Sequence, residues 1–224
     1  MWHGLLNSAD MKIQCIVTGA YQENAYLVFD GAGKAAVVDP GEDAPRILAA
    51  LRDAGAELAA VLLTHGHLDH IAALPALLAA APAPVHVAAP DAAWCFSERN
   101  SLEPYEPVLT PPATLVADFS DGAEIRVGAL AFRVLATPGH SPGSVCLLLD
   151  RPPGTPATLF SGDTLFSGSI GRTDFEGGND AEMASSLRRL ASLPPGTRVL
   201  PGHGPATILA RELAANPYLV AAVR

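Results

Sequence analysis

Three histidines and an aspartate crowd into six positions in Thr64-His65-Gly66-His67-Leu68-Asp69-His70. Neutral imidazole and carboxylate are donors that zinc, iron and manganese accept from proteins. The segment sits where an apolar run (58–63) stops and a helical pattern begins. Such a junction lets His65 and His67 turn toward one point while Asp69 and His70 turn toward another. Gly66, with no side chain, lets the backbone turn tightly between two ligands. Three further fragments repeat the design: Thr137-Pro138-Gly139-His140, Phe160-Ser161-Gly162-Asp163-Thr164 and Leu200-Pro201-Gly202-His203. Each places one donor just past a strand end, beside Gly or Pro, where loops on a rigid scaffold carry chemistry. The competing reading is an exposed histidine-rich turn, and recurrence of the design at separate strand ends counts against it.

Short strands and a few helices must position these ends. Residues 12–18 and 25–30 read as strands joined through Tyr21-Gln22-Glu23-Asn24, and 35–39 as a buried strand ending at Pro40-Gly41. Residues 43–54 read as a helix: Asp43 can cap it, Pro45 suits its first turn, Ile47, Leu48 and Leu51 form one face, and Gly55 suits its exit. The apolar strand 58–63 ends at Thr64-His65. A helix follows from about Asp69 with Ile71, Leu74, Leu77 and Leu78 on one side, then a strand at 85–88. The second half repeats the pattern. A hairpin pairs 124–127 with 132–136 around Gly128-Ala129, strands occupy 145–150, 158–161 and 198–200, and helices occupy 180–192 and 206–215. Two strand-rich halves with flanking helices imply two packed sheets with helices outside. Pro-rich 104–112 and 151–156 read as surface loops. No linker separates two domains, so 11–224 is expected to be one domain and 1–10 an N-terminal extension.

Composition narrows the partners. The chain has 224 residues, 49% hydrophobic, with 14 Lys and Arg against 23 Asp and Glu and a net charge of −9. A nucleic-acid enzyme would show a basic stripe; here the arginines are scattered and lysine is scarce, so no nucleic-acid partner is expected. The Ala-rich stretch at 71–83 is interrupted by Pro and has helical spacing, which suits a buried helix rather than a membrane span. Three widely spaced cysteines with apolar neighbours read as buried free thiols of a reducing compartment. With no signal peptide visible, the expected location is the cytoplasm.

The order Thr-His-x-His-x-Asp-His, Pro-Gly-His, Gly-Asp, Pro-Gly-His resembles the metallo-β-lactamase superfamily, from about Met11 to Leu219. The resemblance implies an α+β fold, an αβ/βα sandwich with metals at one edge. It implies that His65, His67 and His140 hold one divalent ion, that Asp69, His70 and His203 hold a second, and that Asp163 bridges them. A water between the ions would be the nucleophile, with Asp69 orienting it. Zinc is the first expectation for both ions; iron and manganese also suit these donors. Val38-Asp39-Pro40-Gly41, Gly171-Arg172-Thr173-Asp174-Phe175 and the tail through Asn216-Pro217-Tyr218 look like the short glyoxalase II-related hydrolases. That likeness implies hydrolysis of thioesters, with acyl-glutathione such as S-lactoylglutathione as the small-molecule partner. Longer relatives add a C-terminal helical domain that helps hold glutathione, and from the short stretch after His203 none is expected here. Arg172 falls where longer enzymes place a basic residue for glutathione. It reads equally as a carboxylate clamp or as a structural ion pair with Asp174 or Glu176. Asp39 reads as support for the ligand loop or as a turn residue before Pro40. His86 reads as a partly buried structural histidine.

Other classes stay in view. Persulfide dioxygenases share a Gly-Arg-Thr-Asp-Phe segment and use one iron, here at His65, His140 and Asp163. They usually read Pro-Ala-His-Asp-Tyr where this chain has Pro201-Gly202-His203-Gly204-Pro205. The commonest secreted β-lactamases carry a cysteine where Asp163 stands. A non-enzymatic metal-binding module would need closed coordination.

Overall fold

The computed structural model describes residues 11–102, 108–151 and 154–224. The expected extension at 1–10 and parts of both Pro-rich loops lie outside the described residues. One sheet holds β1 (Lys12–Thr18), β2 (Glu23–Phe29), β3 (Lys34–Val38), β4 (Glu57–Leu62), β5 (Val85–His86) and β6 (Leu115–Val116), in that order. Antiparallel pairing runs from β1 to β3 and parallel pairing from β3 to β6. The second sheet holds β7 (Glu124–Val127), β8 (Leu130–Ala136), β9 (Val145–Leu149), β10 (Thr158–Gly162), β11 (Arg198–Pro201) and β12 (Thr207–Ile208). Its pairs are antiparallel except β10 with β11. The helices are α1 (Ala44–Asp53), α2 (Leu68–Ile71), α3 (Leu74–Ala80), α4 (Ala89–Ala92), α5 (Asp180–Ala191), α6 (Leu209–Ala215) and α7 (Pro217–Ala222).

Side chains alternate along a strand, and here both faces of the central strands are apolar. On β2, Tyr26 and Val28 face the other sheet, while Ala25, Leu27 and Phe29 pack with Ile47 and Leu51 of α1 and Leu74 and Leu77 of α3. On β9, Val145, Leu147 and Leu149 enter the layer between the sheets, and Cys146 and Leu148 pack with Leu187 and Leu190 of α5. The result is the expected αβ/βα sandwich, with an apolar layer between the sheets and one under each set of helices. Burying one Leu or Phe side chain contributes about 1.5–3 kcal/mol, so this frame holds the loops at its edge independently of any ion.

Several local expectations differ from what forms. Asp43 precedes α1 without a side-chain capping bond; its carboxylate pairs with Arg46 at 3.0 Å instead. The helix expected from Asp69 is two helices. Ala73 N–H is drawn to Gly41 O at 2.6 Å, and Pro75, without an N–H, opens α3. The strand at 85–88 shortens to two residues, and α4 and β6 were not anticipated. The helix expected at 206–215 starts at Leu209, because Thr207 and Ile208 pair with Val199 and Arg198 as β12. Cys95 and Cys146 are buried free thiols as expected, but Cys15, on edge strand β1, is exposed.

Candidate metal centre

Four imidazoles are oriented from behind by acceptors on their Nδ1 atoms. His140 Nδ1 lies 2.7 Å from Arg172 O, and His203 Nδ1 lies 3.0 Å from Tyr21 O. A carbonyl only accepts, so both Nδ1 atoms carry the proton. His70 Nδ1 meets Asp39 Oδ2 at 3.1 Å. His65 Nδ1 meets Thr64 Oγ1 at 3.1 Å, and that hydroxyl gives its own proton to Asp39 Oδ2 at 2.6 Å. The Thr64 oxygen must therefore accept from His65. In each ring Nε2 is left to face the interior of the group.

The donors gather into two adjoining groups, His65 with His67 and His140, and Asp69 with His70 and His203. In the first, His67 Nδ1 lies 2.9 Å from His140 Nε2. Zinc–nitrogen bonds of about 2.0–2.1 Å put two ligand nitrogens roughly 3 Å apart, so the spacing fits a shared ion. In the second, His203 Nε2 is 3.2 Å from Asp69 Oδ2. Asp163 lies between them: its Oδ1 is 3.5 Å from His70 Nε2, and its Oδ2 is 3.5 Å from His140 Nε2 and 3.6 Å from His203 Nε2. Among the described residues, His65 Nε2, His70 Nε2 and Asp163 Oδ1 are buried with no hydrogen-bond partner. A buried orphan polar atom costs free energy, and three converging on one space is a pattern that a bound cation would satisfy. The donor set thus fits divalent ions. Asp39 also groups with His65 and His70, but its oxygens are engaged by Thr64 N (2.7 Å), Thr64 Oγ1 and His70 Nδ1. It stands behind the donors and orients them.

The electrostatics agree with that division. Burial, reinforced by His70 and His140, holds the His65 pKa well below the ordinary imidazole value. Burial and His140 bring His67 down to about 3. Both rings are neutral, with lone pairs available. Burial would also lower His70, but Asp69, Asp163 and Asp39 outweigh it and raise its pKa well above the ordinary value. His203 is likewise raised, because Asp69 and Asp163 outweigh burial. Burial opposes ionisation of Asp69, yet His70 and His203 hold its carboxyl below the usual range.

Two supports were not singled out from the sequence. Asp91, on α4 and fully buried, accepts from Gly66 N (2.9 Å) and Ser141 Oγ (2.7 Å) on Oδ2, and from Gly143 N (2.6 Å) and Trp94 Nε1 (3.2 Å) on Oδ1. It ties the loop carrying His65 and His67 to the loop carrying His140. Gly66 is glycine for a different reason from the tight turn expected: a Cβ there would collide with Cβ of Cys95. Asn24, on β2, donates to Pro201 O (3.0 Å) and Gly204 O (2.8 Å), anchoring the His203 loop of the other sheet. In the sequence Asn24 reads as part of a polar connection, and an Asp followed by Trp three positions on was the available signal for Asp91.

A cavity of about 410 Å³ opens over Asp69, Asp163, His67, His140 and His203. Trp94 and Phe175 flank the His67 end, with ring centroids 5.3 Å from that imidazole, and Phe166 packs 6.0 Å from His203. Arg172 lines the cavity and forms a two-point ion pair with Asp174 at 2.8 and 2.9 Å; Glu176 pairs with Arg99 instead. His86 lies away from the cavity, bonded to Asp118 at 3.0 Å and stacked on Phe119, as a structural histidine should be.

Similarity to known proteins follows the same residues. The model of the metallo-β-lactamase superfamily matches residues 18–203. A probable metallo-hydrolase, YqgX of Bacillus subtilis, is 35% identical over 93% of this chain and 98% of its own. Hydroxyacylglutathione hydrolase GloC of Haemophilus influenzae is 30% identical with the same coverage, 93% and 98%. Among solved structures, BLEG-1 B3 metallo-β-lactamase superposes with a TM-score of 0.82 at 33% identity, covering 93% of this chain and 99% of that one. ETHE1 from Myxococcus xanthus gives 0.74 at 31% identity, covering 92% and 84%. TTHA1623 in a di-iron-bound form gives 0.72 at 35% identity, covering 92% and 99%. With the family model spanning most of its length and every donor of the centre inside or at the end of that span, the chain belongs to the metallo-β-lactamase superfamily.

Proposed function

We propose that the protein is a metal-dependent thioester hydrolase acting on acyl-glutathione, S-lactoylglutathione among its substrates. The observation that carries this reading is Asp163, whose two oxygens face the two donor groups at 3.5 to 3.6 Å. His65, His67 and His140 would hold one ion and Asp69, His70 and His203 the other, with Asp163 shared. Zinc is the metal we expect; the di-iron form of TTHA1623 makes iron the alternative to test, and manganese suits the same donors. Two such ions supply Lewis acidity and bring the pKa of a bound water toward neutrality.

The chain's own residues do the positioning. Asp69, kept ionised, presents a carboxylate oxygen that orients the attacking water. The aromatic walls hold a thioester with its carbonyl over the centre and keep bulk water from its flanks. Water adds to the carbonyl carbon, the carbon–sulfur bond breaks, and the thiol leaves with a proton. Arg172 is the cation a glutathione carboxylate would reach. The buried free thiols Cys95 and Cys146 support our placement of the protein in the reducing cytoplasm. Among the described residues, no helix is long and apolar enough to cross a membrane.

The test is elemental analysis paired with turnover. The purified, metal-replete protein should carry close to two ions per chain and hydrolyse S-lactoylglutathione, losing activity on chelation and regaining it on metal return. No turnover of any acyl-glutathione by the two-ion form would overturn the substrate assignment. A single iron with oxygen uptake on glutathione persulfide would replace hydrolysis by the dioxygenase reading.

A further inference from the structure

Two arginines, Arg99 and Arg172, are the Lys or Arg side chains among the described residues that line the cavity. Both are engaged by acids of one loop. Asp174 covers the Nε–Nη2 edge of Arg172 with both oxygens, at 2.8 and 2.9 Å. The guanidinium lies 4.2 Å over the Phe175 ring, which fixes one of its faces. Glu176 meets Arg99 Nε at 2.9 Å and Nη2 at 2.7 Å through one oxygen. Asp174 fills one of the two two-point edges at which the guanidinium can receive a carboxylate. An anionic ligand must displace Asp174 or bind beside it, and the displaced carboxylate stays only two residues away. Away from these arginines, the metal donors and Glu176, the wall is uncharged, with Trp94, Leu102, Phe166 and Phe175 among its large side chains.

We propose that Asp174, aided by Glu176, is a specificity-determining residue that occupies the pocket arginines and discriminates against thioesters whose leaving arm carries free carboxylates. This deepens the thioesterase reading and rests on it for the choice of substrates. Acyl-glutathione is then accepted but held weakly, while a thioester with the same acyl group and an uncharged arm is held better. Both acids are exposed, at 68% and 67% of the side chain, so solvent screens the effect and the discrimination is modest.

The experiment compares wild type, Asp174→Asn and the double variant Asp174→Asn/Glu176→Gln. Calorimetry measures binding of S-methylglutathione, an unreactive thioether with the same anionic arm. Steady-state kinetics compare S-lactoylglutathione with the lactoyl thioester of N-acetylcysteamine, whose arm is neutral. Asp174→Asn should tighten S-methylglutathione and lower KM for S-lactoylglutathione by about three- to tenfold. The KM for the neutral thioester and both kcat values should stay within about twofold, since the contact is made equally in ground and transition states. The double variant should extend the same trend. Unchanged S-methylglutathione affinity in both variants, or an equal change for both thioesters, would overturn the proposal. Tighter S-methylglutathione binding without hydrolysis of either thioester would leave the charge discrimination standing and remove the hydrolase reading instead.

Discussion

Asp163 is the side chain that the two donor groups share, since its Oδ2 faces both His140 and His203 while its Oδ1 faces His70. Loss of a residue that merely supports a ligand typically lowers metal affinity or activity by about 10–100-fold. Asp163→Ala removes a donor from both ions at once. We expect a loss above about 100-fold, larger than for any single histidine, with both ions weakened in elemental analysis. The fold should persist, because the apolar layers do not involve this residue; circular dichroism of the variant should match wild type. Collapse of the metal-free variant would instead mark the centre as structural. The candidate donors, which the structure brings together, were legible in the sequence because a histidine or aspartate beside Gly or Pro at a strand end has few other uses. Their second partners were not legible. That Thr64 relays between His65 and Asp39, or that Arg172 O orients His140, depends on chain segments brought together only by folding.

At the scale of elements, α4 is short yet decisive. It was not anticipated, being four residues of Ala, Pro and Asp with no apolar period, and it carries Asp91 into the space between two ligand loops. All four contacts to Asp91 are donors. Asp91→Asn turns an NH2 toward two of them, leaving buried donors unpaired at about 1–3 kcal/mol. The expected result is weaker binding at the His65–His67–His140 group, by about 10–100-fold, with the Asp69–His70–His203 group less affected. Cobalt substitution resolves this, because the spectrum of one ion should change and that of the other should not; equal perturbation of both would contradict it. The same scale explains the misjudged boundaries. Apolar periodicity at 69–78 continues across the break between α2 and α3, and only the pull of Gly41 O on Ala73 N and the absent N–H of Pro75 end the first helix. Thr207 and Ile208 look helical by position, and the open edge of β11 claims them for a strand.

Across the whole molecule, protons and ions compete for the same atoms. Without metal, His70 and His203 have raised pKa values and stay protonated where a free imidazole is neutral. Their contribution to stability is full below the unfolded imidazole value of about 6.5 and is lost as pH rises through the folded values. Asp69 has a lowered pKa, so its contribution is present above the unfolded value of about 3.9 and is lost as pH falls through the folded one. An incoming ion must displace the histidine protons, so apparent metal affinity should climb with pH. Calorimetric titration near neutral pH in buffers of differing ionisation enthalpy should register net proton release; a heat independent of buffer would refute it. The two-sheet architecture was visible in the sequence as two strand-rich halves. The parallel pairings of β3 to β6 and of β10 with β11 were not, because pairing direction is decided by how crossovers pack rather than by any residue pattern. That architecture also divides the centre along the chain. The first sheet and its loops, up to Val116, supply His65, His67, Asp69 and His70, and the second, from Glu124, supplies His140, Asp163 and His203. Neither donor group is complete within one half. An ion bound here would straddle the seam between two halves that the apolar layer already joins, so its affinity would act as a gauge of how closely the two sheets are mated.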